Sequence, residues 1–256
     1  SIVHSAGGWA ALMGAVFLGP RIGKYGPDGK PRAIPGHNVG FAVVGVFVLW
    51  FGWFGFNAGS ELAMDNWVAH CITTTLLAGS AGVVGAGAAI WRKTGAMDVG
   101  MAGNGVLAGL VSITAGTGTM SFAGSVAVGF IGGVIVVYSV LFIERRGIDD
   151  PVGAVSVHGV CGAWGTLAIG LFARYDDAFL GRDDAGLFYG GGFDQLLVQA
   201  IGVVIVAVWV LGTSAILFKV LKSTVGLRVS AEEELAGLDV AEHGSPGYGP
   251  EPVLVG

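Results

Sequence analysis

The chain has 256 residues, of which 53% are hydrophobic and 12% are charged, whereas soluble domains carry roughly 25% charged residues. Its 13 basic and 18 acidic residues leave a formal net charge of −5, which gives no electrostatic support for a nucleic-acid partner. The two cysteines lie in apolar runs and exclude a secreted disulfide scaffold. The composition therefore predicts an all-α polytopic membrane protein.

Seven transmembrane helices are predicted from the apolar stretches of the chain. A bilayer core of about 30 Å needs about 20 apolar residues in a helix, and six stretches without Asp, Glu, Lys or Arg are long enough. They cover residues 1–20, 33–60, 66–91, 99–143, 151–173 and 195–218. The fourth is too long for one span, and the turn signal at residues 115–119 divides it in two.

The distribution of basic residues tests that count and predicts an orientation. If the hydrophilic segments alternate sides, eleven of the 13 Lys and Arg residues fall on one side, and only Arg174 and Arg182 fall on the other. Because positive charge favours the cytoplasmic side, we expect the C-terminus in the cytoplasm and the first helix entered from outside. No basic region precedes Ser1, so we expect that the first helix is not a signal peptide and that the chain is a fragment lacking its N-terminal half.

Three glycine pairs predict a tightly packed bundle. Residues 55 and 59, 105 and 109, and 129 and 133 are glycines four positions apart, so that each pair lies on one helix face. Lipid provides no hydrophobic driving force for the association of helices, so close backbone contact through small residues must stabilise the bundle instead.

Three histidines lie inside predicted spans, where ionisable side chains are costly and usually functional. His70 lies near the outer end of its helix, which favours an interfacial histidine with its hydrogen bonds satisfied. His158 lies about 10 Å inside the inner boundary at 1.5 Å per residue, and His4 lies at least four turns from the cytoplasmic end of its helix. Small residues follow His4 and His158 at i+3, i+4 and i+7, and they predict either a narrow lane past each imidazole or a helix–helix contact. These are Gly7, Gly8 and Ala11, and Cys161, Gly162 and Gly165.

A second constellation lies on the second predicted helix. Phe56 and Ser60 are four residues apart and share a face, with Ser60 at the outer end. An aromatic face attracts a cation, and a hydroxyl accepts a hydrogen bond from an N–H donor, so the pair suits a small cation. Asn57 and Asn104 are predicted to form hydrogen bonds between helices rather than to bind a ligand.

Five stretches together resemble the ammonium transporter family, which includes ammonium/methylammonium permeases and Rhesus proteins. They are SIVH at 1–4, GWFGFNAGS at 52–60, NGVLAGLV at 104–111, VHGVCG at 157–162 and GLFYGGG at 186–192. The resemblance implies an eleven-helix fold of two inverted five-helix repeats and a last helix, assembled as a homotrimer with one pore per subunit. The seven predicted helices would be helices five to eleven.

The resemblance also implies roles for single residues. His4 and His158 match the paired pore histidines, Phe56 matches one ring of the phenylalanine gate, and Ser60 matches the hydroxyl of the outer site. The implied function is transport of ammonium or methylammonium without a cofactor, in which ammonium is recruited outside, loses its proton and passes a hydrophobic pore as ammonia. The family has three further pore residues that come earlier in its sequence than the part matched by this chain. They are an Asp before the first pore histidine, the other gate Phe and an outer-site Trp, so this chain holds about half of a pore.

A polar tail follows the last predicted helix, which divides the chain into a transmembrane domain at 1–222 and a tail at 223–256. Ser230 and Glu233 are spaced as a capping box, and Asp239 and Glu242 repeat the pattern. The tail resembles that of the family, which implies packing beneath neighbouring subunits and, in prokaryotic members, binding of a PII-type signal protein. The alternative is a solvated acidic tail.

Two other functions are alternatives to transport across the plasma membrane, whose lipid would surround the predicted spans. A sensor that binds ammonium with little flux is one alternative, although no signalling domain is fused to the chain. A b-type cytochrome is another, because histidines on two helices could ligate haem. No nucleophile–base pair or metal-spaced cluster predicts an enzyme or a metal site.

Overall fold

The structure is a computed structural model that describes residues 1–174 and 185–248, and regular structure in these residues is helical. The longer helices are α1 (His4–Leu18), α2 (Val39–Gly59), α3 (Asn66–Thr94), α4 (Val99–Thr114), α5 (Phe122–Arg145), α6 (Cys161–Phe172) and α7 (Asp194–Thr224). A π-helix at Val155–Val160 leads directly into α6, and a 3₁₀ turn occupies Leu187–Tyr189. Two short helices, α8 (Ala231–Ala236) and α9 (Leu238–His243), form the tail.

The all-helical membrane fold is confirmed, whereas the count of seven spans stays a prediction. Among the described residues, five helices are long and apolar enough to cross a bilayer: α2, α3, α5, α7 and the continuous segment Val155–Phe172. Helix α4 is apolar but has 16 residues, and α1 has 15, each short of the roughly 20 residues that a full span needs.

Polar side chains mark the beginnings of four apolar helices. Asn38, Asp65, Asp98 and Ser121 each accept a hydrogen bond from a backbone N–H in the first turn of the helix that follows. Such caps satisfy N–H groups that have no partner within the helix. Gly95 ends α3 with a φ of 77°, a left-handed conformation that glycine adopts without steric cost.

Helix α3 lies at the centre and packs against α4 and α5 through glycine. A Cβ at Gly109 would overlap the carbonyl group of Ala78, and a Cβ at Gly133 would overlap that of Gly82. Gly105 and Gly129 make equally close contacts with α3, so two of the three predicted glycine pairs hold helices together. A Cβ at Gly55 or Gly59 would meet no atom within 4 Å, and this third pair does not pack within the chain.

Helices α2 and α7 leave most of their apolar surface exposed. Helix α7 buries Ser214 alone among its 31 residues, although it lies along α1 and α6. Exposed apolar patches of this extent are characteristic of surfaces that contact lipid or other protein segments. Together with the five candidate spans, they describe a multi-pass membrane protein.

One end of the bundle gathers basic residues and their partners. Arg21, just after α1, donates two side-chain hydrogen bonds to Asp149, at 2.8 and 3.0 Å, and Lys24 pairs with Glu144 at the end of α5. Lys222 of α7 donates to the carbonyl oxygen of Phe17 at 2.9 Å. The ends of α1, α5 and α7 therefore lie together, as the alternation of sides in the sequence predicts.

The tail continues from α7, which ends at Thr224, two residues after the predicted domain boundary. The capping box of Ser230 and Glu233 is confirmed, since each side chain accepts from the backbone N–H of the other residue. The second predicted box is wrong: α9 begins after Gly237, and the Asp239 carboxylate accepts from the N–H of Gly247 instead. Residues 249–256 of the predicted tail domain lie outside the described residues.

Candidate functional site

The site begins where α1 crosses the π-helix with almost no side chain between them. A Cβ at Gly8 would overlap the backbone N of Gly159, and one at Gly162 would lie 2.8 Å from Ser5 Oγ and 3.2 Å from His4 Cβ. The Ser5 hydroxyl donates across this contact to the carbonyl oxygen of Gly159, at 3.2 Å. Close approach of the two backbones places the side chains of both helices next to each other.

The small residues after each histidine therefore act mainly as packing surfaces. A Cβ at Gly165 would lie 2.5 Å from the carbonyl oxygen of Ser112, and the Cys161 thiol, fully buried, lies 3.5 Å from the carbonyl oxygen of Gly132. A Cβ at Gly7 would meet no atom within 4 Å. Of the two predicted uses of this strip, the helix–helix contact is the one observed at Gly8, Gly162 and Gly165.

The histidines predicted as a pair do lie together. The imidazoles of His4 and His158 are stacked, with ring centroids 5.6 Å apart and an angle of 16° between the planes. The Nε2 atom of His4 is buried and has no hydrogen-bond partner among the described residues. A neutral imidazole has one N–H donor and one acceptor nitrogen, so His4 presents an uncommitted polar atom within an aromatic surrounding.

The segment that carries His158 is fixed at its beginning. The two carboxylate oxygens of Asp150 accept from the N–H groups of Ala154 and Val155, at 2.9 and 2.8 Å. Within the π-helix, Ser156 accepts from the hydroxyl of Ser139 on α5 at 2.8 Å. Short π-helical segments in α-helices occur often at functional sites, and this one sets the position of His158.

Trp53 on α2 completes the stack, although composition alone did not distinguish it from the other tryptophans. Its ring lies parallel to that of His4, with centroids 5.1 Å apart and an angle of 12°, so the His4 ring stacks on both Trp53 and His158. The indole N–H donates to Thr114 Oγ1 at 2.9 Å. Trp53 precedes Phe56 by three residues and hence shares its helix face, which is the signal that could have identified it.

Phe56 joins this group, and Ser60 lies one turn beyond it. The Phe56 ring meets His4 edge-on with centroids 5.8 Å apart, and meets Trp53 edge-on at 6.0 Å. The exposed Ser60 hydroxyl donates to the carbonyl oxygen of Phe56 at 2.6 Å. Since that bond uses the hydroxyl proton, the Ser60 oxygen keeps lone pairs that can accept from an N–H donor.

Two further polar residues of the spans, His70 and Asn57, have hydrogen-bond partners. His70 Nε2 lies 3.1 Å from the carbonyl oxygen of Met120, in agreement with a satisfied interfacial histidine. Asn57 donates from Nδ2 to Thr75 Oγ1 on α3 at 2.9 Å, which is the predicted hydrogen bond between helices. The hydrogen bond between helices predicted for Asn104 stays a prediction. Its Nδ2 lies beside Gly153, 2.8 Å from the position that a Cβ there would occupy.

This arrangement is suited to guiding a small polar molecule and unsuited to haem. Axial ligands point ring nitrogens at one iron from opposite faces of a macrocycle, whereas the His4 and His158 rings lie face to face 5.6 Å apart. In residues 1–174 and 185–248, no group of three or more His, Cys, Asp or Glu side chains could hold a metal ion.

Comparisons with known proteins agree on one family. The sequence profile of the Ammonium Transporter Family matches residues 1–248. The chain is 48% identical to "Ammonium transporter Amt2" of Archaeoglobus fulgidus over 252 residues, 96% of this chain and 53% of that protein. It is 40% identical to "Ammonium transporter Amt2" of Methanocaldococcus jannaschii over 255 residues, 99% of this chain and 56% of that protein.

Solved structures give the same result. A protein named "Sensor Amt Protein" has a TM-score of 0.86 and 40% sequence identity, covering 94% of this chain and 58% of that chain. The crystal structure of Candida albicans Mep2 has a TM-score of 0.79 and 30% identity, covering 90% of this chain and 51% of that chain. The chain thus spans about half the length of the curated relatives that it matches.

Proposed function

Since this chain belongs to the ammonium transporter family, we propose that the complete protein carries ammonium or ammonia across the membrane. The observation that supports this most directly is the continuous stack of Trp53, His4 and His158, with Phe56 against its edge. Substrates of the whole protein are ammonium and, by the same hydrogen-bonding chemistry, methylammonium.

Recruitment takes place at the outer end of α2. The Ser60 oxygen accepts a hydrogen bond from ammonium, and the Phe56 ring, 41% exposed, attracts the positive charge through its face. An unpaired ion costs many kcal/mol in a medium of low dielectric constant, so the ion releases its proton before it moves deeper. Neutral ammonia avoids that cost. The His4–His158 pair takes up this proton and relays it inward, and the charge crosses with it.

The histidine pair then guides ammonia past the aromatic rings. Each neutral imidazole offers one donor and one acceptor, and two adjacent rings can share a proton. Potassium is excluded because it has no proton to lose and forms no N–H hydrogen bond to an acceptor nitrogen. His4 Nε2, which has no partner among the described residues, is the atom that we assign to the substrate.

The placement of the chain in the whole protein follows from the same proposal. Its seven spans are helices five to eleven of an eleven-helix subunit, in a homotrimer of the plasma membrane that serves nitrogen uptake. Residues 1–222 form the membrane domain, and residues 223–256 form a cytoplasmic tail that can receive a PII-type partner. The basic residues gathered where α1, α5 and α7 end support a cytoplasmic location for this end.

The experiment replaces His158 with alanine in the full-length protein reconstituted into liposomes. We expect the ammonium-dependent current to fall by at least about tenfold or its selectivity over potassium to be lost, because a group within hydrogen-bond reach of the moving proton typically contributes a factor of about 10²–10⁴. His243→Ala, on the exposed helix α9, is the control. Unchanged current and selectivity in His158→Ala would contradict the proposal, and binding without flux in the unaltered protein would favour a sensor.

A further inference from the structure

Helix α2 carries both Phe56 and Ser60, yet few of its side chains anchor it. Only Trp53, Asn57 and Ala58 are buried among its 21 residues. Within the described residues, the side-chain hydrogen bonds that join α2 to other helices are those of Trp53 to Thr114 and of Asn57 to Thr75. Within this chain, these contacts are the ones that fix the rotation of α2 about its own axis.

Asn57 is the contact nearest the two proposed substrate residues. It directly follows Phe56 and precedes Ser60 by three positions. A rotation of an α-helix about its axis moves all of these side chains together because backbone hydrogen bonds make the helix one rigid unit. Asn57 is 3% exposed and Thr75 is fully buried. The hydrogen bond between them therefore holds one face of α2 against α3 and directs Phe56 towards His4.

Thr75 in turn belongs to a polar cluster that reaches a third part of the bundle. Its hydroxyl donates to the carbonyl oxygen of Cys71 at 2.6 Å, which leaves the oxygen free to accept from Asn57. Thr117, in the turn between α4 and α5, donates to the same carbonyl oxygen at 3.2 Å and lies 2.8 Å from Thr74 Oγ1. The cluster thus ties α2 to α3 and to the α4–α5 turn at once.

Asn57 lies in an otherwise apolar helix, and its amide forms a hydrogen bond across the interface with α3. A leucine at this position would fill a similar volume. What asparagine supplies, and leucine cannot, is a directional bond to Thr75.

We propose that Asn57 and Thr75 are positioning residues that fix the rotation of α2 and thereby hold Phe56 and Ser60 in the geometry that selects the substrate. The inference rests on the proposed transport function, in which Phe56 and Ser60 meet the ammonium ion. The two residues act through α2 and do not touch the substrate.

The test compares Thr75→Val, which removes the acceptor of the Asn57 bond with little change in shape, with Thr73→Val. Thr73 bonds to the carbonyl oxygen of Ala69 in its own helix and serves as the matched control. In the full-length protein we expect Thr75→Val to raise the half-saturating ammonium concentration about tenfold, to weaken discrimination between ammonium and methylammonium, and to leave the maximal rate less affected. Thr73→Val should change neither the half-saturating ammonium concentration nor the discrimination between ammonium and methylammonium.

The double variant Asn57→Leu/Thr75→Val separates positioning from stability. Replacing both partners of a buried hydrogen bond by apolar groups can be nearly neutral for stability, so this variant should fold even if Thr75→Val does not. If the double variant folds in the same yield as the unaltered protein but has a raised half-saturating ammonium concentration, the positioning role is supported. Unaltered half-saturation and selectivity in a folded double variant would overturn it.

A structural readout keeps the inference distinct from the proposed function. In a cryo-electron microscopy structure of the double variant, the Phe56 ring should move away from the edge-on contact with His4, whose centroids lie 5.8 Å apart in the unaltered chain. If the unaltered protein does not transport ammonium, the proposed function fails, but this distance still tests the positioning role. An unmoved Phe56 ring would refute that role.

Discussion

Trp53 is the residue through which the components of the site meet. Its ring stacks on His4, contacts the edge of Phe56 and donates to Thr114. A flat indole on one face of an imidazole restrains the tilt of that imidazole without using either of its nitrogens. The aromatic surface, rather than the N–H group, is therefore the part of Trp53 that should matter most to the histidine pair.

Two substitutions of Trp53 distinguish the ring from its N–H group. Trp53→Phe keeps an aromatic face against His4, whereas Trp53→Leu removes it, so we expect the leucine variant to lose about tenfold more methylammonium uptake than the phenylalanine variant. Uptake of labelled methylammonium into liposomes measures this. Trp209→Leu, on α7 where the side chain is 71% exposed, is the control. Equal loss in both Trp53 variants would show that the N–H group dominates.

The sequence identified the residues whose chemistry is rare inside a membrane. His4 and His158 stand out because ionisable groups are seldom placed there, and the structure brings their rings together. Trp53 did not stand out because the chain has seven tryptophans, and composition gives no reason to choose one. The cluster of Thr75 and Thr117 was equally hidden, because their contact joins residues 42 positions apart.

Helix packing determines whether the histidines can meet at all. The contact between α1 and the π-helix requires glycine at position 8, since a Cβ there would overlap the backbone N of Gly159. Position 7, on the next face of the same helix, is open. Neighbouring glycines in one helix thus have opposite tolerance for a methyl group.

Gly8→Ala and Gly7→Ala form a matched pair that tests this contact. We expect Gly8→Ala to destabilise the protein by about 1–3 kcal/mol or more through overpacking and to abolish most uptake, because the two helices must separate. Gly7→Ala should be neutral or stabilising by up to about 1 kcal/mol, since alanine favours helix more than glycine does. Thermal unfolding of the solubilised protein and uptake assays measure both effects. A Gly8→Ala protein as stable and active as Gly7→Ala would contradict the contact.

The elements themselves were predictable where a local pattern specifies them. Apolar length located α2, α3, α5 and α7, and the spacing of Ser230 and Glu233 located the start of α8. The second capping box failed because Gly237, with a φ of 91°, lets the chain turn and start α9 at Leu238. The π-helix was not foreseen, since it depends on Asp150 and on close contact with α1 rather than on its own sequence.

On the scale of the whole molecule, carboxylates join the tail and the helix ends. Asp149 is buried, which by itself raises the pKa of its carboxyl group, but hydrogen bonds from the side chain and backbone of Arg21 lower that pKa below its ordinary value overall. Glu234 of α8 accepts from the N–H of Ile22 at 2.8 Å and from Arg228. Arg228 also lies 3.4 Å from the carbonyl oxygen of Leu18, so the tail is attached to the end of α1.

These bonds predict that acid releases the tail. The N–H of Ile22 and then the side chain of Arg228 lower the pKa of Glu234, because both donate to the charged carboxylate. Because the pKa is lowered, the contact stabilises the docked tail fully at pH values above the ordinary pKa range of a glutamate carboxyl group. This stabilisation is lost as the pH falls through the lowered pKa. At neutral pH, Glu234→Gln should reproduce the acid state.

Limited proteolysis at a series of pH values measures the docking of the tail. We expect cleavage between α7 and α8 to be slow at neutral pH, to accelerate as the pH falls below the ordinary range of carboxyl groups, and to be fast already at neutral pH in Glu234→Gln. Glu232→Gln, on the exposed side of the same helix, is the matched control and should behave like the unaltered chain. Because proteases themselves respond to acid, hydrogen exchange at the Ile22 amide gives an independent measure, since this N–H has only a neutral and weaker acceptor when Glu234 is protonated. Equal cleavage and exchange in Glu234→Gln and Glu232→Gln would mean that other contacts, such as that of Arg228 with the carbonyl oxygen of Leu18, hold the tail against α1.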